Sequence, residues 1–535
     1  MANSRNPGAN RVVPLSPAAA EHRASRRLFL RQAGTLGLVA GAGAPLALNL
    51  LAASQAAAQT ASDYRAIVCV FLFGGNDSFN TVLDTSASSW AAYTATRNQA
   101  PESLALMAAG TPPAGAAAVG TPERLGGVLP LAPAVAADPS LALHPLLSPL
   151  VPLFNTERRL AVLANVGPLL MPTSKLQHYT PSHPRPASLF SHNDQQSTWQ
   201  ALGPEGSTRG WGGRIGDLLA AGNTRATFTA VSAAGNAVFL AGDTVRQYQI
   251  GSGGTVRLGG DSSDRTFGSV AVTRALERVA GGARGTHLLQ RDLASTATRA
   301  IDSELLLREA LRPAGEAPFG TPPTTGSYSA SADPLLRYTN PIDGMATANP
   351  LAQQLQAVAR MVDAGRRGAS GVRRQVFFVS LGGFDNHDLQ NRNHSNLMAR
   401  LGHALAYFDN TLGALGARDQ VTTFTASDFG RTFTSNGDGT DHGWGAHHFV
   451  LGGAVRGGRL FGRMPVLAMK NADNAGFDGS PDQLGNGILL PTTSVDQFGA
   501  TLARWMGLSA AQALEVFPNL TNWDSGVRDL GLFTA

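Results

Sequence analysis

QVFFVSLGGFDNH, residues 375–387, passes from a continuous apolar run into a glycine turn that carries Asp385 and His387. A short apolar run without alternation is the pattern of a strand covered on both faces, as in a parallel sheet. Its end presents an acid and an imidazole where open α/β sheets place their ligands. The same pattern recurs. Residues 64–73 (YRAIVCVFLF) run into Gly74-Gly75-Asn76-Asp77-Ser78, and residues 421–425 lead to Ser427-Asp428-Phe429-Gly430-Arg431-Thr432. Residues 160–167 (LAVLANVG) read as another buried strand, residues 447–451 as a further one and residues 227–232 as a short one. Between them lie helical periodicities at 146–154, 211–220, 351–366, 396–412 and 495–506. On the 396–412 helix Leu397, Leu401, Leu405, Phe408 and Leu412 share one face, which leaves His403 off it and expected in solvent. Strands alternating with helices predict an α/β fold around a mostly parallel central sheet.

The chain's 535 residues can bury a large core. Its formal charge of +5 is accounted for by residues 1–58, which hold six arginines and one glutamate. The remainder is balanced, so no nucleic-acid partner is expected. The leader carries Ser25-Arg26-Arg27-Leu28-Phe29-Leu30-Arg31, an apolar run from 33 to 53, and the small residues Ala56-Ala57-Ala58. That is the pattern of a twin-arginine export signal with a cleavage site, and the export machinery is its expected partner. An uncleaved amino-terminal anchor is the alternative. After cleavage, the product at 59–535 is expected to be periplasmic or extracellular, off the membrane, and a single domain. Insertions are expected near 84–139, an Ala/Pro/Gly-rich surface excursion, and near 233–349, where residues 270–311 have helical spacing. The single cysteine, Cys69, lies inside a strand pattern and reads as core; thiolate metal sites are excluded.

Three strand ends carry Asp77, Asp385 and Asp428, and six of the twelve histidines fall between His387 and His448. Convergent carboxylates repel unless a cation joins them, and a divalent ion would accept imidazole as well. Asp385 with His387, and Asp441 with His442, sit on short turns able to face one ion. The competing reading is that the acids cap the elements after the strands. The polar loop 168–203 adds Ser191 and His192, a hydroxyl beside an imidazole.

The ordered set Gly74-Gly75-Asn76-Asp77-Ser78, His144-Pro145, Gly210-Trp211, Phe384-Asp385-Asn386-His387, Ser427-Asp428-Phe429-Gly430-Arg431 and Asp441-His442-Gly443 resembles domain of unknown function family 1501. That family comprises twin-arginine-exported bacterial proteins grouped with the alkaline phosphatase and sulfatase-like superfamily. The resemblance implies a three-layer α/β/α sandwich and metal-dependent hydrolysis of a phosphate or sulfate ester. The substrate would be a small or polymer-borne anionic ester. In that scheme Asp77, Asp385, His387, Asp428 and His442 hold divalent metal (Zn, Ca, Mg or Mn), Arg431 neutralises ester oxygens, and Ser191 with its neighbour His192 supplies the nucleophile. Two departures stand out. Phe429 follows Asp428 where many relatives place a histidine, and no Cys-x-Pro-x-Arg is present, which excludes formylglycine chemistry. A non-catalytic exported binding or assembly protein on the same fold is the alternative. A Gly-Asp-Ser-type serine esterase would need a late Asp-x-x-His, which the sequence lacks.

Overall fold

Residues 65–73 form the strand around which the others are laid, and each of Ile67, Val68, Val70, Phe71 and Leu72 is almost wholly buried. Burial of each such side chain contributes about 1.5–3 kcal/mol. The computed structural model describes residues 64–251, 254–255, 265–282, 287–474 and 476–534. The arginine-rich leader and its cleavage site lie outside the described residues.

The central sheet is built from β1 (Arg65–Phe73), β2 (Leu160–Gly167), β3 (Ala230–Ser232), β4 (Tyr248–Gln249), β5 (Arg374–Gly382), β6 (Val421–Ser427), β7 (Ala446–Leu451), β8 (Leu460–Phe461) and β9 (Thr493–Ser494). Its order is β8-β2-β7-β6-β1-β5-β3-β4, with β9 also pairing β2. All pairings are parallel except those of β7, which is antiparallel to β6 and to β2. The helices used below are α1 (Ala87–Arg97), α2 (His192–Ala201), α3 (Trp211–Leu219), α4 (Val270–Gly281), α5 (Leu288–Ala310), α6 (Pro350–Arg366), α7 (Gln390–Ala414), α8 (Val495–Met506) and α9 (Ala510–Val516).

Alternation along β1 feeds two hydrophobic cores. Val68, Val70 and Leu72 join Leu355 and Met361 of α6 and Leu401 and Phe408 of α7. Ile67, Cys69 and Phe71 join Trp211 and Ile215 of α3, Phe498 and Leu502 of α8, and Val516 of α9. Cys69 is a buried thiol of the second core, as expected. The fold is therefore α/β with a large, mostly parallel central sheet and two hydrophobic cores to which helices contribute. Among the described residues no helix is long and apolar enough to cross a membrane.

Three expectations need correction. Residues 84–139 are more than a surface excursion, because α1 and the three-stranded sheet of Val82–Asp84, Leu129–Pro130 and Leu141–Leu143 bury Tyr93, Leu106 and Val128 against Phe433 and Phe477. The 396–412 helix starts earlier, at Gln390. His403 is half-buried rather than solvated, with Nδ1 3.1 Å from Asn349 Nδ2, the side chain that caps α6.

α8 contains a buried acid. Ser494 and Gln497 form a reciprocal cap at its start, and the next-door Asp496 is 2 % exposed with one carboxyl oxygen unpartnered. Burial pushes its pKa up to about 7, against the opposing influence of Asn519 and Arg214. A raised carboxyl pKa gives stability that is complete below the unfolded value and is lost as pH rises through the folded one. Asp496→Asn is therefore expected to gain melting temperature relative to the parent as pH goes from 4 to 8, read by thermal scans across that range. A gap independent of pH would show that Asp496 does not titrate in this way.

Candidate metal centre

Parallel pairing brings the ends of β5, β1 and β6 to one edge, with Phe73 opposite Gly382 and Leu72 opposite Ser427. Gly74 follows at φ +112°, and a Cβ there would lie 2.3 Å from the Asp385 nitrogen. Only glycine allows the two turns to approach this closely. Phe384 N donates to Phe73 O (3.1 Å), Gly74 N to Asp428 Oδ2 (3.2 Å) and Asn76 N to Ser427 Oγ (2.9 Å), which lace the three strand ends together.

At this edge three ligand-type atoms form a tight triangle. His387 Nε2 lies 3.0 Å from Asp385 Oδ1, His442 Nε2 lies 3.2 Å from the same oxygen, and the two nitrogens are 3.0 Å apart. Such edges are those of neighbouring ligands at about 2.0–2.2 Å from one ion. His192 approaches from α2, with Nε2 3.3 Å from Asp385 Oδ2. One ligand atom each from His192, Asp385 and His442 lie within 4.8 Å of one another.

Each imidazole is fixed through its other nitrogen. His387 Nδ1 meets Asp441 Oδ1 at 3.1 Å, His442 Nδ1 meets the Phe190 carbonyl at 2.7 Å, and His192 Nδ1 meets Asp428 Oδ2 at 2.7 Å. Donation from Nδ1–H to these acceptors leaves the Nε2 lone pairs for the shared centre, the usual outer-shell arrangement of histidine ligands. The donor set thus fits a divalent cation. Burial holds His442 below the ordinary histidine range, which keeps it neutral. Burial alone would raise the Asp385 carboxyl, but hydrogen bonding and charge from Arg431, with His192 and His387, hold it below its usual value. The Asp428 hydrogen bond raises His192 more than burial lowers it.

The eight residues singled out in the sequence have separate fates. Asp385, His387 and His442 meet, and His192 joins them. Asp428 is fully buried behind His192, where its Oδ2 also accepts from Gln196 Nε2 (2.7 Å). Arg431 is 1 % exposed; it donates to Asp385 Oδ1 (2.8 Å), Thr440 and the Gly74 carbonyl, and so supports Asp385 from within. Ser191 precedes α2, and its side chain makes no capping bond. Asp77 is spent on Arg97, with Oδ2 to Nη1 at 2.5 Å and Oδ1 to Nη2 at 2.9 Å, and it also accepts from Gln390 Nε2 at 2.6 Å. Its Oδ1 takes the Phe79 N–H, as a capping aspartate does. Burial would raise the Asp77 carboxyl, but Arg97 outweighs it and the shift is downward.

Phe429 has a positive role. A Cβ on Gly75 would lie 2.5 Å from its ring, and the ring sits 4.8 Å from that of His192 and 4.7 Å from that of His442. It is the apolar floor on which both imidazoles rest. Arg97, at the end of α1, and the Phe190 carbonyl were not foreseeable: neither lies in a periodic or motif-bearing stretch.

Residues 323–517 match the family model described as "Protein of unknown function (DUF1501)". No curated protein matches the sequence. Solved structures that align include "Crystal structure of Ps i-CgsB", at 9% identity over 86% of this chain and 77% of that chain, with a TM-score of 0.32. Its complex with k-i-k-neocarrahexaose aligns at 10% identity over the same shares, with a TM-score of 0.30. A Bacteroides thetaiotaomicron chain, described under "Metabolism of multiple glycosaminoglycans", aligns at 12% identity over 36% of this chain and 42% of that chain, with a TM-score of 0.20.

Proposed function

From the premise that residues 323–517 fall within the DUF1501 family, we propose that this protein is an exported, metal-dependent hydrolase of a phosphate or sulfate ester. The observation that carries this reading is the triangle of Asp385 Oδ1, His387 Nε2 and His442 Nε2, with edges of 3.0–3.2 Å. Cores on both faces of the sheet support the finer architecture, a three-layer α/β/α sandwich. The twin-arginine leader supports export to the periplasm or beyond.

One cation per chain follows from the charges. Asp77 already has Arg97 as its counter-ion, and Asp428 Oδ2 is taken up by the His192 Nδ1–H, Gln196 and the Gly74 N–H. Nitrogen donors favour zinc or another transition ion over calcium or magnesium. When bound, the cation would neutralise and polarise the ester oxyanion. Arg431 keeps Asp385 ionised and aimed, Asp441 and the Phe190 carbonyl hold the two imidazoles in one tautomer, and Phe429 keeps water from beneath them.

The purified mature chain is expected to carry about one equivalent of divalent metal by elemental analysis and to turn over aryl phosphate or aryl sulfate, both lost on chelation. Bound metal without turnover of any ester would favour the second reading. In that reading His192 closes a four-ligand site and the cation is structural, which suits an exported binding or assembly protein.

A further inference from the structure

We propose that His192, rather than Ser191, is the nucleophile of the site and accepts the phosphoryl group of a phosphate monoester; this rests on the hydrolase reading above. Its Nε2 is a buried atom without a hydrogen-bond partner. It faces Asp385 Oδ2 at 3.3 Å, the carboxylate oxygen opposite to the one that His387 and His442 share. His192 therefore approaches the cluster on the Oδ2 side of Asp385, while His387 and His442 share Oδ1. Its ring cannot turn away, because Nδ1 is bonded to Asp428 and the ring is held against Phe429 and, edge-on at 4.3 Å, His442. Asp428 is itself immobilised by Gln196 and the Gly74 N–H.

This is the arrangement that makes an imidazole a nucleophile. A carboxylate on Nδ1–H fixes the tautomer with the lone pair on Nε2 and compensates the positive charge that the ring acquires on attack. His192 is the first residue of α2, a ten-residue helix whose cap position offers no side-chain acceptor. The first-turn N–H groups and the helix dipole are thus available to a phosphoryl oxygen. Ser191, by contrast, has no base hydrogen-bonded to its hydroxyl among the described residues, and a serine without one is a poor nucleophile.

The step balances as follows. The Nε2 lone pair forms an N–P bond while the P–O bond to the leaving alkoxide breaks, and the alkoxide takes a proton from water to leave as the alcohol. Water, deprotonated in that exchange, then attacks phosphorus; the P–N bond breaks, inorganic phosphate leaves and the imidazole regains its lone pair. Nδ1 keeps its proton, donated to Asp428, throughout.

The test uses the mature, metal-loaded chain with 4-nitrophenyl phosphate, quenched in alkali and digested for mass spectrometry. A phosphoryl adduct that survives alkali but not acid is expected on the peptide bearing His192. It should persist in Ser191→Ala. In His192→Gln it should vanish, with turnover down by about 100-fold or more while metal content is kept. An adduct on Ser191, wild-type turnover with no adduct on His192, or loss of the metal in His192→Gln would each overturn the assignment and leave the hydrolase reading standing. Neither adduct nor turnover with any ester would remove both.

Discussion

Asp385→Ala protein is expected to come from purification without its cation and without ester turnover, the largest functional loss of any single change in the site. One oxygen of this carboxylate serves both His387 and His442, and the other faces His192. Removal takes away the only anion in the triangle and leaves the Arg431 guanidinium, which is buried and aimed at it, as a positive charge without its ion-pair partner beside the site. An incoming cation then meets repulsion where it had a ligand. Changing even an outer partner of a ligand commonly weakens metal binding by about 10–100-fold, so loss of this ligand should exceed about 100-fold. Because Asp385→Ala also strands Arg431, it will cost stability, and a fall in activity alone would be ambiguous. Asp385→Asn separates the two effects. Its amide oxygen still accepts from Arg431, so the melting temperature should stay near that of the parent while metal content falls. Metal at full stoichiometry in both variants, by elemental analysis, would mean that the triangle is not the site.

What the sequence made legible depended on the range of the interactions. The buried runs ending at Phe73, Gly382 and Ser427 announce themselves, since a strand covered on both faces must be apolar throughout. Asp385, His387 and His442 could be picked out because they follow such runs or sit on glycine-bounded turns. The partners of Asp77 and Asp428 could not. Arg97 comes from 20 residues downstream, at the end of a helix with little apolar bias, and His192 from 236 residues upstream in a polar loop. A carboxylate after a strand looks the same in sequence whether a cation or an arginine will meet it. His403 shows the same limit on a smaller scale, because periodicity places it off the apolar face but says nothing of Asn349 on the next helix. The two-residue strands β4, β8 and β9 have no pattern to read; pairing with longer neighbours defines them.

Arg97→Met is expected to produce the largest loss of stability, about 3–5 kcal/mol, the usual result of breaking a buried ion pair from one side. Arg97 is wholly buried, and beyond its two bonds to Asp77 it donates to Asn80 Oδ1 (3.0 Å) and to the carbonyls of Thr432 (2.9 Å) and Phe433 (3.1 Å). Methionine fills similar space but takes the guanidinium donor away from each of these acceptors and from the Asp77 carboxylate. The deficit should depend on pH in a defined direction. With Arg97 present, Asp77 is held below its ordinary pKa, so its contribution is complete above the unfolded value and fades as pH falls. Without Arg97, the buried carboxyl retains a proton in the folded state, so the variant is penalised most at neutral pH and approaches the parent near pH 4. Asp77→Asn added to Arg97→Met should restore part of the loss, since an amide need not be protonated to be buried there; the two changes act on one contact and are not expected to add. Thermal scans of the three proteins at pH 4 and pH 7 decide the matter. A single Arg97→Met variant melting within about 2 °C of the parent at pH 7 would show that Asp77 has another counter-ion, and the case for a single-cation centre would lose its electrostatic footing.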